Sequence, residues 1–250
     1  HTVYYWKKEF PLLKAKPQSP ILTRLDSFLR PKLIRNIIAQ PENRLDFTSI
    51  MNEGKILLAK LAQGAIGEEN SYLLGTLLVS SIHKSALSRQ QLEQSKRRDF
   101  FLYIDEFQNF ITPSMEAVLS GARKYRLGLV LAHQELQQLV EQDRKVASSV
   151  LSNPATRICF RLGEADARKL RDGFSFFDEK DLVNLETGQA LARIERSDWD
   201  FNLKTSPLPF VNQEEAAQTR DEVIRLSRKK YGGEKPDLSS LLPRLDSPRT

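Results

Sequence analysis

Between residues 55 and 194 the sequence repeats one pattern: a short apolar run with almost no polar alternation, a turn, then a longer stretch with helical period. The runs are 55–61, 100–105, 127–133, 156–162 and 189–194, and the helical stretches between them are 68–92, 114–125, 143–151 and 164–171. An alternating strand buries one face, whereas a strand that is apolar throughout buries both. The latter is the condition of a parallel sheet with helices packed on either side. The pattern predicts an α/β fold with a mostly parallel sheet, and 250 residues suffice to bury a sizeable core.

The flanks read differently. Residues 1–20 mix aromatics, lysines and prolines and predict an irregular arm. From 21 to 39 the apolar positions Leu22, Leu25, Phe28, Leu29, Leu33, Ile34 and Ile37 recur at helical spacing, with Pro31 placed to open a second short helix. Residues 211–250 form a third region, a charged surface helix over 212–231 followed by a tail rich in Gly, Pro, Ser and charge. The body of the fold is therefore expected over 21–210.

Composition removes several classes. The single cysteine, Cys159, allows no intrachain disulfide, and within Arg157-Ile158-Cys159-Phe160 it reads as a buried, inert thiol. No apolar stretch approaches the roughly 18–20 residues of a membrane helix, and the first ten residues lack signal-peptide architecture. This segment is expected to be soluble, without membrane contact, and cytoplasmic. A net charge of +6, from 38 basic and 32 acidic residues, is compatible with an acidic partner such as DNA and equally with a solvated surface.

The segment Phe100-Phe101-Leu102-Tyr103-Ile104-Asp105-Glu106 carries the sharpest chemistry. Five apolar residues deliver two adjacent carboxylates to the C-terminal end of a strand, where open α/β sheets place their ligands. In a phosphate-loop ATPase the first such carboxylate, here Asp105, holds the magnesium shell, and the next, Glu106, orients and deprotonates the attacking water. The same residues also suit a strand that simply ends in an acidic turn. A glycosidase pair is disfavoured, because neighbours along a strand point to opposite faces instead of flanking one bond.

A second apolar run, Leu127-Gly128-Leu129-Val130-Leu131-Ala132-His133, ends in Gln134. One helix separates the two runs, so their ends can be neighbours in the sheet and Gln134 is expected near Glu106. A glutamine there can hydrogen-bond a γ-phosphate or the attacking water without adding charge; it also suits the polar start of a helix. Between the runs, Arg123, Lys124 and Arg126 close a helix, where cations oppose the helix dipole. The sharper reading is an arginine offered to a neighbouring subunit's γ-phosphate, with Arg123 first and Arg126 second. His133 has no partner at metal-ligand spacing in His1, His83 or Cys159, so a metal site of protein ligands alone is not expected. Gly64 and Gly67 predict a strand-to-helix turn, and Lys84, Arg89, Arg97 and Arg98 read as the solvated face and end of a long helix.

None of the 11 glycines opens a G-x-x-x-x-G-K-[ST] loop, and the one Gly-Lys pair, Gly54-Lys55, is followed by Ile56. Without that loop no lysine or hydroxyl is placed on the β- and γ-phosphates, and hydrolysis by this chain alone is not expected.

Taken together, Phe101-Leu102-Tyr103-Ile104-Asp105-Glu106-Phe107-Gln108-Asn109-Phe110, Leu119-Ser120-Gly121-Ala122-Arg123-Lys124-Tyr125-Arg126-Leu127 and Leu131-Ala132-His133-Gln134 resemble the HerA–FtsK superfamily of hexameric DNA motors. The branch they resemble is that of the TraG/TraD-like coupling proteins of type IV secretion. The similarity extends upstream to Asn52-Glu53-Gly54-Lys55-Ile56-Leu57-Leu58 and downstream to the stretch 152–163. It implies part of a RecA-like core in a homo-hexamer that uses ATP and Mg2+ to move DNA through its ring. Relaxase or secretion components would be partners, at the inner face of the membrane if an anchor exists upstream. Asp105 and Glu106 match the Walker B pair, Asp105 meeting Mg2+ through water. Gln134 matches the sensor glutamine, and Arg123 the arginine acting in trans. The missing Walker A loop makes the chain look like the C-terminal part of a longer ATPase. A HerA-like helicase in DNA end processing, or a non-catalytic adaptor with an ATPase-like fold, are the alternatives.

Overall fold

The computed structural model describes residues 19–40, 42–112 and 115–233. Most of the expected N-terminal arm and the tail from 234 onward lie outside the described residues. In chain order the elements are α1 (Ser19–Leu29), α2 (Lys32–Ile38), α3 (Phe47–Asn52), α4 (Gln63–Ile66), α5 (Glu68–Ser88), β1 (Phe100–Ile104), α6 (Met115–Gly121) and β2 (Leu127–Leu131). They continue with α7 (Leu136–Gln142), α8 (Arg144–Ser152), β3 (Thr156–Cys159), α9 (Glu164–Leu170), α10 (Glu179–Val183), β4 (Gln189–Ile194), β5 (Asp200–Lys204) and α11 (Gln213–Tyr231). The class is α/β, as the alternation predicts.

The described chain divides into two compact units. One takes the residues up to Asp46, Leu58–Leu74 and those from Thr219; the other takes Phe47–Leu57 and Gly75–Gln218. In the first, α1 and α2 pair around buried Ile34 and leave Ile21, Leu22, Leu33 and Ile37 exposed. The charged helix α11 buries no residue along its length, in keeping with its composition.

The second unit holds both sheets and one apolar core. Strands β1 and β2 are parallel and in register from Phe100↔Leu127 to Ile104↔Leu131. Their inner face, with Leu102, Ile104, Leu127 and Leu129, joins a core that includes Phe107, Met115, Val118, Leu136, Leu139, Val146, Cys159 and Leu191. Two of the helices that close this core start at a side-chain cap of their own: Asp143 accepts from the amides of Lys145 and Val146 at the head of α8. At α10, Asp178 and Asp181 form a reciprocal capping box.

Three expectations are corrected. The run 55–61 makes no strand; Ile56 and Leu58 stay exposed with no neighbouring strand among the described residues to receive their backbone bonds. The glycines beyond it instead sit in and after α4, where Gly67 at φ +84 turns one helix into the next. Second, β3, β4 and β5 form an antiparallel sheet, because β4 returns through a short loop into β5, a connection that only antiparallel neighbours allow. Third, among the described residues the β1–β2 sheet is covered on one face only, and Phe101, Tyr103 and Val130 on the other are 58%, 72% and 43% exposed.

Candidate functional site

Strand β1 ends at Ile104, and the chain leaves it through two turn residues, Asp105 and Glu106. Glu106 lies in the left-handed region, φ 49 and ψ 44, where a side chain costs about 1–2 kcal/mol. Its surroundings hold it there. The Asp105 carboxylate accepts from the Glu106 amide at 3.0 Å, and the Phe107 amide donates to the Ala132 carbonyl at 3.0 Å, tying the turn to the end of β2. A short 3-10 turn, Phe107–Phe110, then carries Gln108 back beneath the carboxylate.

The two strand ends meet as the sequence predicts. Gln134 Nε2 donates to Glu106 Oε1 at 2.5 Å, and Gln108 Nε2 donates to Glu106 Oε2 at 2.6 Å. Both carboxylate oxygens therefore take one amide donor each, which fixes the plane of the carboxylate. Asp105 and Gln134 are exposed, Glu106 is half-buried and Gln108 is buried, with its Oε1 unpartnered among the described residues. Asp105 and Glu106 do not sit on opposite faces of a continuing strand, because the left-handed turn begins between them.

His133, the residue before Gln134, is half-buried. Its ring meets Phe107 edge-on at 5.6 Å, and burial pushes its pKa below the usual imidazole value, against the pull of Asp166. Asp166, on α9, accepts the amide of Leu136 at 3.0 Å, so the first turn of α7 is capped from a separate helix. The Gln134 loop is thereby pinned at both ends, by β2 before it and by Asp166 after it.

Arg123 is elsewhere. It lies in the 3-10 turn Ala122–Tyr125 that leads into β2, at the N-terminal edge of the sheet, a strand length of about 16 Å from the carboxylates. Arg126 beside it pairs with Asp99 at 3.3 Å. Asp105, Glu106 and Gln134 are thus brought together, and Arg123 is kept apart from them within one chain. Sequence reasoning gave no role to Gln108, whose signal was its place two residues after Glu106. It also read Arg89 as solvated, yet Arg89 is 0% exposed.

Among the described residues no group of three or more His, Cys, Asp or Glu could hold a metal ion by itself. A single exposed carboxylate such as Asp105 suits Mg2+ that arrives with a nucleotide and keeps its waters. No helix among the described residues is long and apolar enough to cross a membrane.

Residues 99–171 match the family described as the TraM recognition site of TraD and TraG. Over this stretch the chain is related to TraD and TraG. The TraG/TraD-like stretch contains Asp105, Glu106, Gln108, Arg123, Gln134 and Asp166. Curated proteins give no match. Solved structures similar to the chain include VirB4 of Thermoanaerobacter pseudethanolicus, 19% identical with a TM-score of 0.43, covering 56% of this chain and 38% of that one. The plasmid coupling protein TrwB, in complex with the non-hydrolysable GTP analogue GDPNP, is 17% identical with a TM-score of 0.44, covering 58% of this chain and 40% of that one. TrwB in complex with ADP and Mg2+ gives the same values. The chain spans only 38–40% of the length of these structures.

Proposed function

We propose that this chain is the Walker B and sensor half of a nucleotide-driven motor of type IV secretion, which moves DNA through a ring of six subunits. The observation that carries the reading is the Glu106–Gln134 hydrogen bond, which joins a candidate base and a candidate sensor across the ends of two adjacent parallel strands. Glu106 is the base: its carboxylate takes the proton of the attacking water. Gln134 and Gln108 hold that carboxylate in plane, and Gln134, being exposed, can turn its amide to the γ-phosphate. Asp105 would meet the magnesium shell through water. When bound, ATP would supply the electrophilic phosphorus and magnesium would neutralise phosphate charge. Arg123, distant from its own chain's carboxylates, is suited to a second copy's site.

The test is ATP turnover, with and without DNA, in this chain, in the parent polypeptide with a Walker A half, and in the parent carrying Glu106→Gln. DNA-stimulated turnover in the parent, lost in Glu106→Gln and absent from this chain, is the expected result. No turnover in a folded parent that binds DNA overturns the motor reading.

One observation favours a second reading, an adaptor. The matched stretch is described by the recognition of a partner, TraM. An adaptor would bind a protein partner through 99–171 and show no magnesium-dependent nucleotide binding in the parent.

A further inference from the structure

The turn that carries Arg123 ends in an unusual way. Arg126 closes it with φ 54 and ψ 39, a left-handed conformation that helix ends usually assign to glycine. Arginines reach the three successive carbonyls from Lys124 to Arg126. Arg97 Nη1 donates to the Lys124 carbonyl at 2.5 Å, and Arg89 Nη1 donates to Tyr125 at 3.0 Å and to Arg126 at 3.5 Å. The Arg126 carbonyl also accepts the Phe100 amide at 3.0 Å, which locks the turn to the first residue of β1.

Arg89 is a costly choice for such a cap. It is 0% exposed, its Nε donates to Asn52 Oδ1 at 3.0 Å, and its Nη2 has no partner among the described residues. Among those residues it forms no salt bridge: its hydrogen bonds go to neutral acceptors, and Asp99 acts on it only from a distance, against the repulsion of Arg97. A buried, unpaired charge carries a penalty of several kcal/mol, partly offset here by the negative end of a helix dipole.

What the clamp holds is Arg123. Its guanidinium is exposed and has no hydrogen bond or ion pair among the described residues, whereas Arg126 is occupied by Asp99. Arg97 adds a second hold, with its guanidinium 6.0 Å above the Tyr125 ring and further bonds to Leu92 at 2.8 and 3.0 Å. We propose that Arg89 and Arg97 are positioning residues that fix the Lys124–Arg126 backbone, so that Arg123 is presented in one orientation to the nucleotide site of a second copy. The inference rests on the trans role assigned to Arg123 above.

The experiment uses the parent polypeptide. Arg123→Ala is expected to lower kcat by on the order of 10³-fold. Arg89→Met and Arg97→Gln, which displace Arg123 without removing it, are each expected to lower kcat by about 10²-fold with KM for ATP unchanged. Arg97 is partly exposed, so its variant tests the clamp if Arg89→Met does not fold. The deciding readout is subunit mixing. Arg89→Met or Arg97→Gln subunits keep Glu106, and Glu106→Gln subunits keep the clamp and Arg123, so a mixture is expected to recover turnover that neither shows alone.

Full turnover in Arg123→Ala overturns the role of Arg123 itself. Loss in Arg123→Ala with unchanged turnover in the folded clamp variants overturns only the clamp. So does loss in the clamp variants that mixing fails to restore, since the damage then lies in their own site.

Discussion

Gln134 donates its side-chain amide to Glu106 at 2.5 Å, across the gap between two parallel strands that end side by side. Among the described residues, removing that donor leaves Gln108 as the only side-chain amide on the carboxylate. In the parent polypeptide Gln134→Leu is expected to lower single-turnover hydrolysis by on the order of 10²-fold, the lower range for losing general-base function. Nucleotide affinity should change little. An affinity loss equal to the rate loss would mean that Gln134 serves binding and not the water.

Asp166 holds the other side of the same loop. Replacing it by alanine orphans the Leu136 amide at the first turn of α7. The expected cost is about 0.5–2 kcal/mol, the range of a lost helix cap. Urea unfolding of this chain measures it, and an unchanged midpoint would show that water replaces the carboxylate without penalty.

Burial holds the pKa of His133 below the ordinary value of 6.5, and His83 is shifted the same way for the same reason. The unfolded chain therefore binds more protons than the folded one between the two values. This share of stability is fully present above about pH 6.5 and is lost as pH falls through the lowered folded values. Chemical denaturation between pH 7.5 and 5 should show the slope, and His133→Gln should flatten it partly, leaving the share of His83.

Much of this site was legible because its signals are local. An apolar pentapeptide followed by Asp105 and Glu106, and a second run ending in Gln134 one helix later, specify two adjacent strand ends without any long-range information. Gln108 was hidden because its role depends on the left-handed turn at Glu106, which folds the next residues back on the carboxylate. A general residue at that position gives no sign of φ +49. Strand direction in 156–159 and 189–194 was hidden too, since an apolar run buried in a mixed core looks the same whichever way its neighbour runs. The short alternating strand Asp200–Lys204, partner to β4, carried the signal that would have corrected it. Arg89 was misread because burial of an arginine at a helix end depends on Asn52 and Tyr125, distant in sequence.

Leu191 sits in β4 at 0% exposure, inside the core that also holds Cys159. Leu191→Ala removes methyl groups from a packed site that the β3 and β5 backbones prevent from collapsing. A loss of about 2–5 kcal/mol is expected by denaturant unfolding. A loss below about 1 kcal/mol would show that the antiparallel sheet packs loosely.

Cys159 faces the same core from β3, and burial raises its thiol pKa from 9.0 to about 11, although Arg157 and Arg193 pull the other way. The thiolate is the reactive species, so the raised value alone predicts labelling by a thiol reagent at pH 8 that is about 10²-fold slower in the folded chain than in urea. Limited access at 5% exposure slows it further. The labelling rate consequently reports opening of the β3–β4 pair, and Leu191→Ala, by loosening that pair, should raise it. Equal rates in the folded and unfolded chain would place Cys159 at the surface and remove the antiparallel sheet from the core.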